Sequence, residues 1–229
     1  MFLGTNRGRK FGLFLSQKQG IICDKMAMRK QQHSIDSKVL NRIYGHRGGW
    51  VFTPAHFHDL GSRAAVAAAL KRHKKSGLIR QLKRGLYHHP IDHPTFGRIP
   101  PSPDAIARAV ASRYAVRLQP TGAYAANILG LSEQVPTRIV FLTDGPSRRV
   151  KVGQQEVVLK GTTPRNMATA GRKSGTMIQA LRHIGQRNVN DKTLAILKHQ
   201  LTRQDKAQAL KDLRYAPGWI ADILRRLAA

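Results

Sequence analysis

The stretch Ser62 to His89, SRAAVAAALKRHKKSGLIRQLKRGLYHH, carries eight Lys or Arg and no Asp or Glu. So one-sided a run cannot bury most of its positions, and it has to fold into elements with one apolar edge turned inward and one cationic edge in water. Ser62 suits an N-cap, the alanines and Leu70 favour helix, and Gly77 follows the last basic turn, where a glycine ends helices. The spacing predicts a helix over 62–76. At about 100° per residue, Val66, Ala69, Leu70, His73 and Gly77 share one side, and Ala64, Ala67, Ala68, Lys71, Arg72 and Lys75 share the other. One side is core; the other is small and positive.

After Gly77, the runs Leu78–Leu82 and Leu86–His89 flank Lys83, Arg84 and Gly85, a hairpin pattern with a glycine for the positive φ. Before Ser62, Thr53, Pro54 and Ala55 have the order of N-cap, N1 and helix start, with Phe57 and Leu60 at i and i+3 and Gly61 as the turn. Helix, sharp turn, basic helix and ribbon is the order of a winged helix-turn-helix. In that reading small alanines let the helix approach a DNA major groove and touch thymine methyls, while longer cations reach charge beyond them. The bland reading of the same residues is a solvated basic helix. The ribbon and turn on either side favour the first.

The rest of the chain agrees with a polyanion partner. Of 229 residues 40 are basic and 12 acidic, a formal net charge of +28, and no long apolar or amphipathic anchor accompanies it, so nucleic acid is favoured over membrane. With 41% hydrophobic residues there is material for a real core. The single cysteine, Cys23, excludes an intrachain disulfide and a cysteine-based zinc site; with no apolar run near the length of a span, the expectation is a cytoplasmic protein.

Residues 1–34 hold seven basic residues and one acid without periodicity, and read as a disordered basic extension; Met26 or Met28 would serve as a start, which leaves residues 1–25 outside the native chain in that reading. Ile35, Val39, Leu40, Ile43 and Tyr44 recur at helical spacing up to Gly45, and Trp50–Phe52 reads as a short strand able to pair with the ribbon, with Trp50 as core rather than a stacking platform. The first domain therefore covers 35–89. Five prolines between Pro90 and Pro103 predict a linker over 90–101. The second domain, 102–229, opens on the cap Ser102-Pro103-Asp104, continues with a helix over 121–131 and three antiparallel strands over 138–143, 148–152 and 155–160, and ends in helices over 176–186, 191–200, 203–214 and 218–227. The fold class is α+β. Residues 102–229 alone carry a net charge of +13, so basicity is not confined to the first domain.

Catalytic and cofactor patterns are absent from this reading. His56, His58, His88, His89 and His93 lack cysteines or acids at ligand spacing, so no metal is expected. Lys173 and Ser174 after Gly171 fail the phosphate-loop pattern, since Asn166 stands where its first glycine belongs. Arg182, His183 and Tyr215 are too few for a tyrosine recombinase, and the acids are scattered. No enzyme and no cofactor are expected.

The runs GGWVFTPAHFHDLGSRAAVAAALKR (48–72) and SGLIRQLKRGLYHHP (76–90) resemble the AbiEi-like antitoxins of bacterial type IV toxin-antitoxin systems. QPTGAYAANILGLSEQVPTRIVFLTDGPSR (119–148) and DLRYAPGWI (212–220) look like the second domain of one branch of that family, so the resemblance spans about 35–227. It implies a winged domain that represses its own promoter at inverted repeats and a C-terminal domain that counters a nucleotidyltransferase toxin; an inverted-repeat operator leaves room for a homodimer on DNA. Its recognition helix would be Ser62–Lys75 and its wing Lys83–Gly85. The chain departs from the pattern in its basic extension and in His56, where an acid is frequent. The expected DNA-binding residues are Ser62, Arg63, Ala64, Ala68, Lys71, Arg72, Lys75, Lys83 and Arg84, with Ala64, Ala68, Lys71 and Arg72 towards base edges and Arg63, Lys75, Lys83 and Arg84 on phosphates or in the minor groove. The alternatives are a stand-alone DNA-binding regulator of a mobile element and an RNA- or ribosome-associated basic structural protein.

Overall fold

A computed structural model describes residues 34–229; the extension up to residue 33, with Cys23, Met26 and Met28, lies outside the described residues. The described chain is α+β and divides into two compact units, one of Pro54–Ile79 with the residues up to Gly48, the other of Gly49–Thr53 with Arg80–Ala229.

Among the described residues the first unit is built on two helices, α1 (Ile35–Gly45) and α2 (Arg63–Lys75). Both start on a serine that accepts from a backbone N–H three residues on, Ser34 from Ser37 and Ser62 from Ala65. Val39 and Ile43 of α1 and Val66, Ala69, Leu70 and His73 of α2 are buried, the side of α2 that the spacing selects. Between the helices, Pro54–Phe57 is one 3₁₀ turn and not the helix expected from Thr53-Pro54-Ala55. The turn that follows brings Gly61 so close to α1 that a Cβ there would collide with the side chain of Ile35. Four residues are too few for a stable α-helix, and the approach of Gly61 to Ile35 fixes the turn in its place. Arg42 of α1 clamps this loop by a fork, Nη1 to Asp59 Oδ1 at 2.6 Å and Nη2 to Oδ2 at 2.7 Å, while Nη1 also donates to the His56 carbonyl. That guanidinium holds the Asp59 carboxyl down at about 2.

In the second unit, β1 (Val51–Phe52), β2 (Arg80–Lys83) and β3 (Leu86–His88) form a sheet in the order β1-β3-β2, both pairings antiparallel. Trp50, half-buried, lies with its ring 4.5 Å from that of Phe52, which stacks on Tyr87. Val51 and Leu86 share one core with Ile106, Val110, Ile139, Phe141, Val157 and Leu159, and Leu82 packs on it. The ribbon expected to complete the domain over 35–89 is therefore rooted in the second unit.

The expected linker over 90–101 instead contains a hairpin, β4 (Ile91–His93) and β5 (Gly97–Ile99). Its prolines fall at Pro90, Pro94, Pro100 and Pro101, outside the paired positions. Asp92 faces Arg98 across the strands at 3.0 Å, His93 Nδ1 accepts from Thr95 N and Phe96 N, and Gly97 has φ +65°.

Helix α3 (Pro103–Tyr114) carries the cap of Ser102, which accepts from Ala105 N. The large sheet runs β6-β7-β9-β8, from β6 (Leu118–Pro120), β7 (Arg138–Thr143), β8 (Arg148–Val152) and β9 (Gln155–Gly161). It has four strands where three are expected, and its middle pair, β7 with β9, is parallel. Burial explains the order: Val157, Val158 and Leu159 are buried on consecutive positions, which suits an interior strand, whereas β8 alternates and exposes Arg149 and Lys151, which suits an edge.

The remaining helices are α4 (Gly122–Ile128), α5 (Pro164–Met167), α6 (Lys173–Ile184), α7 (Asp191–Gln200), α8 (Arg203–Asp212) and α9 (Gly218–Ala228). A second core joins Ala125, Met177, Ile178, Leu181, Leu197, Ile220 and Leu224 around α6. Asp212, 1% exposed, is its polar anchor, accepting from Arg172 Nη1 at 2.6 Å, Ser174 Oγ at 2.5 Å and Gln208 Nε2 at 3.1 Å. Among the described residues no helix is long and apolar enough to cross a membrane.

Candidate nucleic-acid interface

Helix α2 presents Arg63, Ala64, Ala67, Ala68, Lys71, Arg72, Lys74 and Lys75 to solvent. Three alanines on the exposed side leave its backbone approachable, and no described acid pairs with Arg63, Lys71 or Lys75. Ser62 is committed to its cap. Arg72 differs from the expectation that it faces base edges. Its Nε and Nη2 donate to Asp36 Oδ1 at 3.1 and 2.7 Å, tying α2 to the first turn of α1, and the buried His73 ring lies 3.5 Å from the same oxygen. The cause is an acid placed for the α1 dipole, which the last turns of α2 reach in three dimensions though 36 residues separate Asp36 from Arg72. This brace fixes the orientation of α2 and withdraws one cation from its free surface.

Lys83 and Arg84 form the exposed tip of the ribbon in the second unit, with Gly85 at φ +74° making the turn. The register slips between Gln81 and Lys83, so Leu82 keeps its inward contact while the tip turns to solvent. The expected site residues thus fall into two sets, one on α2 and one on the ribbon, each within its own unit.

Sequence reasoning misses a third set. Arg113 and Tyr114 at the end of α3, and Ser147, Arg148 and Arg149 at the start of β8, line a cleft of about 390 Å³ together with Lys83, Arg84 and Gly85. Arg113 reaches the turn itself, its Nη1 being 3.5 Å from where a Cβ on Gly85 would stand. Arg148 lies over the Tyr114 ring, its Cζ 3.5 Å from the centroid. Ser147 Oγ accepts from Gly161 N, which ties the start of β8 to the end of β9. Asp144, just before this turn, is occupied by the Arg117 guanidinium and backbone N–H, each at 2.8 Å, which depress its pKa, the guanidinium most. The only sequence signal for this set is the +13 of residues 102–229, which has no position attached to it.

The ribbon also carries a titrating group. His88, 1% exposed and opposite Val51 and Arg80, is pushed down to about 4, first by burial and then by Arg80 and His89. The unfolded chain takes up this proton near pH 6.5 and the folded one only near 4, so the contribution is full above about 6.5 and disappears as pH falls to 4. Denaturant titrations at pH 7.5 and pH 4.5 measure it: a loss of as much as about 3 kcal/mol is expected, and His88→Gln flattens the dependence.

The other motifs weighed have structural uses. Lys173 Nζ donates to Asp205 and to the Gln200 carbonyl, and Arg182 reaches the Asn166 side chain. Among the described residues no three His, Cys, Asp or Glu gather where they would hold a metal ion.

No curated protein matches the chain. Among solved structures it is similar to the RV2827C protein from Mycobacterium tuberculosis, at 16% identity and a TM-score of 0.43, over 85% of this chain and 77% of that one. Residues 38–210 match DUF6088, a family of unknown function, and the chain belongs to that family.

Proposed function

We propose that the protein binds duplex DNA as a transcriptional regulator, reading sequence with α2 and gripping phosphates with the ribbon. The observation that supports it most is the exposed side of α2, where Ala64, Ala67 and Ala68 alternate with Arg63, Lys71 and Lys75. A helix whose outer side combines small side chains with unpaired cations fits a major groove by shape and charge together. Ala64, Ala68 and Lys71 approach base edges, Arg63, Lys75, Lys83 and Arg84 contact backbone, and Arg72 holds the helix in position through Asp36.

The inverted-repeat operator of this reading, and its antitoxin role against a nucleotidyltransferase toxin, rest on the resemblance of 48–90, 119–148 and 212–220 to the AbiEi-like antitoxins. Coexpression with the product of the adjoining reading frame tests the antitoxin part, since rescue of growth from that product is the expected result.

DNA binding is tested by fluorescence anisotropy on the duplex upstream of the gene, a shuffled duplex and a structured RNA, across a salt series. Lys71→Ala is expected to cost about 1–3 kcal/mol on the upstream duplex and much less on the shuffled one. Equal loss on both reduces α2 to an electrostatic handle. Preference for the RNA at every salt concentration favours the basic RNA-associated protein instead.

A further inference from the structure

We infer that the cleft of the second unit lined by Lys83, Arg84, Arg113, Arg148 and Arg149 is a phosphate site, filled by the sugar-phosphate backbone of a bound nucleic acid. The inference deepens the reading above by making the second unit a contact surface of its own.

The five cations come from three elements distant in sequence, the ribbon tip, the end of α3 and the start of β8. Among the described residues no acid lines the cleft, and none of the five forms an ion pair with a described acid. Cations kept only for solubility are served better by spreading out, because like charges gathered in a concavity repel one another. Here the packing gathers them. Leu82 and Leu86 anchor the ribbon on the core that also contains Val110, one turn before Arg113–Tyr114, and Val150, the residue after Arg149. A concave site with one sign of charge concentrates anions.

The identity of the anion follows from what the cleft lacks. Among the described residues its one aromatic ring, Tyr114, is covered by the Arg148 guanidinium at 3.5 Å, with Arg113 at 5.4 Å, so a base finds no free platform on that face. Recognition is left to guanidinium and ammonium groups, which take phosphate oxygens without regard to the base attached. The ribbon tip forms part of the lining, so a strand held by Lys83 and Arg84 passes directly to the arginines.

The full-length Arg113→Ala/Arg149→Ala variant tests this, with Arg148 left in place because it packs on Tyr114. Both substituted side chains are exposed, and an unchanged melting temperature is the folding control. The slope of log affinity against log salt is expected to fall by about 2, close to 0.9 per phosphate lost, on the upstream and shuffled duplexes alike. An unchanged slope overturns the inference, while a Lys71→Ala variant that still loses sequence preference leaves the DNA-binding function standing. If the wild-type protein binds no duplex, that function fails separately, and heat unfolding with inorganic pyrophosphate reads the cleft. A rise in melting temperature confined to the wild type supports a phosphate site, and no rise overturns it. Labelled ATP bound far more tightly than pyrophosphate means that a base is recognised, which overturns the backbone assignment.

Discussion

Asp212→Ala is expected to destabilise the second unit by about 3–5 kcal/mol, lowering its melting temperature by about 10 °C. The carboxylate is 1% exposed and satisfies Arg172, Ser174 and Gln208 at once, tying the start of α6 to the end of α8. Its removal leaves the buried Ser174 hydroxyl without an acceptor and one side of the Arg172 guanidinium without its counter-ion, the asymmetric case in which losing one partner costs more than the pair contributes. Arg172→Ala leaves the buried carboxylate with two neutral donors and no counter-ion, so it is expected to destabilise as well. Circular dichroism melts of both variants check this, and a loss below about 1 kcal/mol for Asp212→Ala refutes the anchoring role.

The second large effect falls on function. Ala68→Glu sets a carboxylate on the exposed side of α2, where the proposed duplex needs both closeness and positive charge. Affinity for the upstream duplex is expected to fall by at least about 100-fold, roughly 2.7 kcal/mol, as steric and electrostatic losses act together. Ala68 is exposed and glutamate is a good helix former, so thermal stability is expected to stay within about 0.5 kcal/mol of the wild type. Anisotropy on the variant reads this directly, and retained binding removes α2 from the interface.

How much of this was legible depends on the range of the forces involved. The long periodic segments were: α2 begins after Ser62 and ends at Lys75, α7 occupies 191–200 as its spacing indicates, and the buried residues of α2 are the ones its 100° repeat selects. Local capping chemistry and one-sided burial decide such elements. The hairpin over 91–99 was hidden because proline content speaks against strands in general, and only the Asp92–Arg98 pair and the His93 turn show that each proline falls at an unpaired position. The parallel β7–β9 pairing was hidden because alternation marks a strand without naming its neighbour. The site divides along the same line. The α2 surface follows from one helix, while the brace of Arg72 on Asp36 and the meeting of Arg113 with Arg148 and Arg149 exist only after distant segments fold together.

The interruption of the first unit by Gly49–Thr53 bears on how such chains diversify. Those five residues supply β1, whose Val51 sits in the core of the other unit, so the sequence leaves one unit and re-enters it before α2. A gene fusion joined after residue 89 would carry Val51, Leu82 and Leu86 away from the apolar surface they cover, and would leave that surface wet in the half left behind. Exchange of the unit that carries α2 by a single recombination event is therefore disfavoured, and change in that unit is expected to accumulate by point substitution on the outer side of α2.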